Sequence, residues 1–157
     1  MKILQGKEFE EAEQYFKIAI EIASLSKCLR AKSGAIIVKD ISVIGMGFNS
    51  PPRNKSIERC LKPELPLDFN SDKTCCIHAE DRAIRDALRH SPEKIPGSRL
   101  YYIRLDLNDK IAFAGNPYCT WCSKTALDVG IAEFVLWHED GICVYDTKEY
   151  NQLSYQR

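Results

Sequence analysis

The chain has 157 residues, enough for one domain near the commonest domain size. A chain of this length buries roughly two thirds of its unfolded surface and needs no disulfides to be stable. Lys plus Arg equals Asp plus Glu at 22 each, so the formal net charge is zero. That balance argues against an extended nucleic acid as the main partner, for which a basic face is expected, and leaves room for a small anion that needs only two or three local cations.

Residues 8–29 read as an amphipathic helix, because Phe9, Ala12, Phe16, Ala19, Ile20 and Ala23 recur at three- and four-residue steps. Two strands follow, 35–38 and 43–48, joined through Lys39, Asp40, Ile41 and Ser42. Gly45 and Gly47 weaken the second strand and imply that something else approaches its backbone closely. Residues 49–76 form an inserted loop, rich in proline and charge and poor in periodicity; a structureless stretch of this length in a compact domain is usually functional. It leads directly into His78. Residues 77–90 read as a second helix. In the strand 98–105, Leu100, Tyr102 and Arg104 alternate against Tyr101, Ile103 and Leu105. A third helix runs over 119–129, stopped by Gly130. Strands at 132–137 and 142–145 and a polar helix from about Lys148 close the chain. Helices and strands in this order predict an α/β fold with a mixed central sheet of about five strands flanked by helices, in a single domain over 1–157. No segment approaches the ~20 apolar residues of a membrane span. The first seven residues have no apolar run of signal-peptide length, so a cytoplasmic, reducing setting is expected. There the seven cysteines read as metal ligands or reactive thiols before disulfides.

Two motifs carry the chemistry: His78-Ala79-Glu80, and Cys119-Thr120-Trp121-Cys122, each at the start of an expected helix. One imidazole and two thiols can hold zinc and leave a fourth position to water. The carboxylate is left over to move protons. Cys119 and Cys122, three apart, share a helix face, and the positive end of a helix favours the thiolate form. Glu80, at a helix start, can turn toward the same water. Either motif alone is weak, since His-Ala-Glu recurs by chance and Cys-x-x-Cys also serves dithiol redox proteins.

Together these residues resemble the cytidine/deoxycytidylate deaminase superfamily, the zinc-dependent nucleoside and nucleotide deaminases with an H-x-E and P-C-x-x-C signature. The resemblance covers about residues 8–146. It implies a three-layer α/β/α fold and one catalytic Zn2+ per chain on His78, Cys119 and Cys122. Glu80 would then pass a proton from water to a ring nitrogen and help the amine leave as ammonia. Gly47-Phe48-Asn49 matches a pattern that sets Asn49 against the nucleoside; the alternative is a turn residue before Ser-Pro-Pro. Ala79 matches the position whose backbone N–H meets the base carbonyl. Tyr118 and Trp121 bracket Cys119 and could wall the pocket or stack on a base, whereas Trp137 reads as core.

Nucleotide-directed members carry extra residues before the His-x-Glu motif. The insertion here, with Arg53, Lys55, Arg59, Lys62 and Lys73, therefore favours a phosphate-bearing substrate, deoxycytidylate first. Cys60, Cys75 and Cys76, with His90 or His138, are the candidates for a second, structural zinc; the alternative is that buried thiols serve as small hydrophobes. One departure from the family pattern is that Tyr118 stands between Pro117 and Cys119, so the segment entering the metal site must take its own path. The resemblance also implies a homo-oligomer, a dimer or larger. The rival readings are deamination of another base (guanine, cytosine or tRNA adenosine), a non-catalytic zinc-binding protein on the same fold, and a dithiol oxidoreductase.

Overall fold

The computed structural model describes residues 1–66 and 75–156. Its elements are β1 (Lys2–Ile3), α1 (Gly6–Ser24), β2 (Lys32–Lys39), β3 (Ser42–Phe48), α2 (Ala79–His90), β4 (Arg99–Leu105), β5 (Ile111–Ala112), α3 (Thr120–Asp128), β6 (Glu133–His138), β7 (Gly141–Asp146) and α4 (Thr147–Ser154). They build one seven-stranded mixed sheet in the order β1-β7-β6-β4-β2-β3, with β5 paired to β4 beside that path. The β4–β6 pair is parallel, its crossover carrying α3; the remaining ladders are antiparallel. The five expected strands are all present, and the two beyond them, β1 and β5, are only two residues each, too short to leave a period-two pattern.

Three layers result from covering both faces of this sheet. Phe16, Ala19 and Ala23 of α1 pack on Ile36, Tyr101, Ile103 and Val135. On the opposite face α2, α3 and α4 cover Ile37, Leu100, Phe134 and Leu136 with Ile84, Ala126 and Tyr150. The alternation read along residues 98–105 is thus real: Leu100 and Tyr102 face one layer, Tyr101, Ile103 and Leu105 the other. Trp137 packs against Phe9 and Phe16 as a core residue.

The backbone that approaches Gly45 and Gly47 is α2. A Cβ on Gly45 would stand 2.5 Å from the Ala83 carbonyl oxygen, and one on Gly47 2.5 Å from the Ala83 nitrogen. Small residues at 79, 83 and 87 on α2 meet bare backbone on β3, so helix and strand close to a distance that side chains would forbid. The first helix is shorter than its expected span: α1 ends at Ser24, one residue after its last buried alanine, Ala23. Residues 25–31 leave the helix because Ser26 is drawn instead to Asn49, its Oγ donating to Oδ1 at 2.7 Å. That excursion brings the segment around Arg30 to the sheet edge where the start of β2 and the ends of β3 and β4 lie side by side.

Candidate active site

At that edge α2 and α3 begin, and each starts with a side chain of the sulfur–imidazole group. His78 is the N-cap of α2 and Cys119 the N-cap of α3. Neither helix start is capped by Ser, Thr, Asp or Asn. Instead Cys119 Sγ accepts from the Cys122 N–H at 3.3 Å, so the first cysteine satisfies a free helix amide while facing the histidine. His78 Nδ1 lies 3.4 Å from Cys119 Sγ and 3.3 Å from Cys122 Sγ, and the two sulfurs are 3.0 Å apart. Zn–S of about 2.3 Å and Zn–N of about 2.0–2.1 Å in a tetrahedron set edges of roughly 3.6–3.8 Å. The triangle is of that size class, slightly contracted, and its donors are the set zinc prefers, so the residues fit the ion.

The electrostatics of the group follow from its crowding. The hydrogen bond shared with Cys122 pulls the Cys119 thiol down to about 4, with His78 assisting. The same bond pushes the Cys122 thiol up. His78, bonded to the Cys119 sulfur, is raised to about 9. One thiolate is therefore held between two proton-bearing partners, whose protons must leave when a divalent cation enters.

Glu80 lies in the first turn of α2 and is only 6% exposed. Burial pushes its carboxyl up to about 7, against the pull of His78. A buried carboxyl near neutrality can both take and give a proton. It opens into a pocket of about 390 Å³ whose wall also includes His78, Ala79, Asn49, Tyr118 and Cys119, within the range of small-molecule sites.

Most sequence-predicted residues meet here. Asn49 Oδ1 accepts from the Ser33 N–H at 2.7 Å, and its Nδ2 donates to Ala31 O at 2.9 Å. Arg82 holds the chain just beyond it, donating to Ser50 O at 3.2 Å and Pro51 O at 3.0 Å while lying over Phe48. Trp121 departs from expectation: it projects from α3, 66% exposed, and does not line the pocket, because α3 turns its Cys122 and Ala126 side inward. Of the five loop cations among which one or two could meet a phosphate, Lys62 lines the pocket, whereas Arg53, Lys55 and Arg59 do not, Arg59 turning to Glu64; Lys73 lies outside the described residues. Arg30 and Arg104 line the pocket instead, with Tyr102 and Ser33, whose hydroxyls are 3.1 Å apart. Sequence reasoning missed them, although a charged residue at the carboxyl end of an apolar strand, where α/β crevices open, was a usable signal for Arg104.

Cys28, Cys60, Cys75 and Cys76 line the same pocket. Among the described residues, however, His78, Cys119 and Cys122 are the group whose ligand atoms gather closely enough for an ion. His90 turns to Asp86, and His138 to Ala114, so neither joins a second site.

Residues 9–138 match the family model for the cytidine and deoxycytidylate deaminase zinc-binding region. The chain belongs to this zinc-binding deaminase family. Its similarity to the deoxycytidylate deaminase of Saccharomyces cerevisiae is 30% identity over 148 residues, 86% of this chain and 42% of that protein. The deoxycytidylate deaminase of Mycobacterium phage D29 is 35% identical over 100 residues, 59% of this chain and 76% of that one. The chain thus spans less than half the length of the yeast relative. Among solved structures, the dCMP deaminase of cyanophage S-TIM5 in complex with dCMP and dUMP superposes with a TM-score of 0.57 at 27% identity, over 83% of this chain and 82% of that one. No helix of the described residues is long and apolar enough to cross a membrane.

Proposed function

We propose that residues 1–157 act as one deaminase unit that hydrolyses the exocyclic amine of a cytosine nucleotide, deoxycytidylate first, releasing ammonia. The observation that carries this reading is Glu80, a buried carboxyl opening into the same pocket as the His78–Cys119–Cys122 triangle. A structural zinc site has no use for a free carboxylate there. Relatives named deoxycytidylate deaminases, one of them with dCMP and dUMP bound, support the choice of substrate.

His78, Cys119 and Cys122 would hold the zinc. When bound, zinc supplies Lewis acidity that brings the pKa of a water down toward ~7. Glu80 takes a proton from water and gives it to the ring nitrogen next to the amino-bearing carbon. Glu80 then takes the second proton from the hydroxyl now on that carbon and passes it to the amine, so that the C–N bond breaks, ammonia leaves and a carbonyl remains. Ala79, buried at the start of α2, offers its N–H to the base carbonyl. Asn49 and Tyr118 face the nucleoside. Arg30, Arg104 and Lys62 supply the positive charge for a phosphate, the arginines by forked N–H pairs and the lysine as a point charge. The inserted loop at about 49–76 contributes Lys62 to this wall. A homo-oligomer in the cytoplasm is the expected working form.

The test is ammonia release from dCMP, CMP, deoxycytidine, cytidine and cytosine by the zinc-loaded protein, beside Glu80→Gln. We expect turnover of dCMP above the others, and a loss of roughly 10²–10⁴-fold in the variant with one zinc per chain retained. Turnover that survives Glu80→Gln, or a preference for an unphosphorylated substrate, overturns the reading.

A further inference from the structure

We propose that His138, Tyr145 and Tyr150 form a clamp that fixes the pocket wall from Ala114 to Tyr118, with His138 a positioning residue for substrate binding. The proposal rests on the reading of this pocket as the substrate site. The segment between β5 and α3 is where the chain departs from the family pattern, and Ala114, Gly115, Asn116 and Tyr118 all line the pocket. Gly115, Asn116 and Tyr118 are exposed, and Pro117 among them is buried.

Its two ends are tied to the core. The Ala114 N–H donates to Trp137 O at 2.8 Å. Ala114 O lies 2.8 Å from His138 Nδ1. A carbonyl oxygen can only accept, so Nδ1 carries the proton, and in the neutral ring Nε2 is the acceptor. The Tyr145 hydroxyl stands 2.9 Å from Nε2 and donates to it. Both backbone polar groups of Ala114 are therefore held by the end of β6, and the histidine is itself held in the required tautomer by β7. At the far end of the wall, the Tyr118 backbone faces the Tyr150 hydroxyl, and both residues line the pocket. The three rings are one cluster. Tyr150 stacks on Phe134 with centroids 4.1 Å apart, Tyr145 meets Tyr150 edge-on at 6.0 Å, and His138 meets Tyr145 at 5.9 Å. Strands β6 and β7 and helix α4 thus meet at one point and grip a wall in which Gly115, Asn116 and Tyr118 are exposed. A wall ordered before the substrate arrives spares the binding step the cost of ordering it.

The test compares His138→Leu, which keeps bulk and removes both polar links, with His138→Asn, whose amide N–H can replace Nδ1–H. Both are made in the zinc-loaded full chain. Hydrogen exchange of the amides of Gly115, Asn116 and Tyr118 reads the clamp without substrate, and steady-state kinetics on dCMP read its consequence. His138→Leu should speed exchange about tenfold and raise KM about tenfold, with kcat within threefold and one zinc retained. His138→Asn should stay within threefold of the parent protein in both. If His138→Leu does not fold, Tyr145→Phe, which keeps its ring, should speed exchange about threefold. Unchanged exchange, or equal effects of Leu and Asn, overturns the clamp. Faster exchange with an unchanged KM overturns its role in binding. The expected exchange pattern in a parent protein that does not deaminate dCMP upholds the clamp and overturns the substrate reading.

Discussion

Glu80 is buried at the start of a helix whose next residue, Asp81, is also buried, with Arg85 paired to Asp81 at 2.8 Å. Two carboxyls so close to one metal-type triangle do different work: Asp81 is bound by a cation, Glu80 opens into the pocket. The arginines allow a second expectation at this scale. Arg104→Gln or Arg30→Gln should raise KM for dCMP at least tenfold and leave deoxycytidine unaffected, because a charge-assisted hydrogen bond contributes about 1.5–3 kcal/mol. Equal losses on both substrates would place these arginines away from the phosphate. The ligand triangle supplies a third. Its nitrogen and sulfurs bind metal only when deprotonated, so acidification competes with zinc. Zinc released to a chromogenic chelator should increase as pH falls from 7 to 5, and Cys122→Ser should copy less than one zinc per chain at every pH.

Among the elements, the contact of α2 on β3 matters most for function, because it sets where His78 and Glu80 sit. The glycines of β3 let α2 approach, and the alanines of α2 complete the fit. Gly47→Ala should cost about 1–3 kcal/mol, the usual penalty of overpacking, seen as a lower urea midpoint at unchanged slope. It should also lower kcat, since the helix start must shift with the helix. A Gly47→Ala protein as stable and active as its parent would mean that α2 does not depend on this close approach. The edge of the sheet is managed by the same pair of elements: the Met46 N–H on β3 is met by Asp86 Oδ2 of α2 at 3.0 Å, which occupies an edge donor that another strand could otherwise pair with.

For the whole molecule, α2 and α3 are separated in the chain by β4 and β5, and their starts meet at the metal triangle. Zinc held there would therefore cross-link two parts of the fold as well as supply Lewis acidity. Binding at about a thousand times Kd contributes about 4 kcal/mol, so chelation should lower Tm by about 10 °C for a domain of this size. A Tm insensitive to chelation would separate the metal from the fold. The His-x-Glu and Cys-x-x-Cys motifs, the five longer strands and the covered sheet were legible in the sequence, because each is local: ligand spacing, period-two alternation and helix starts are written within a few residues of one another. Asn49 was legible for the same reason, standing next to the strand that carries it. Arg30, Tyr102, Arg104 and the Ala114–Asn116 part of the wall were not. Arg30 and Arg104 are 74 positions apart, and the pairing of β2 with β4 sets Ser33, close after Arg30 in the chain, opposite Arg104. Trp121 was misplaced because spacing to a cysteine does not say which side of the helix turns to the core. The sequence by itself determined the chemistry, since a ligand set and a proton carrier are choices of residue type. Tertiary structure alone decided what that chemistry can reach, since a pocket is made by segments that meet only after the sheet has formed.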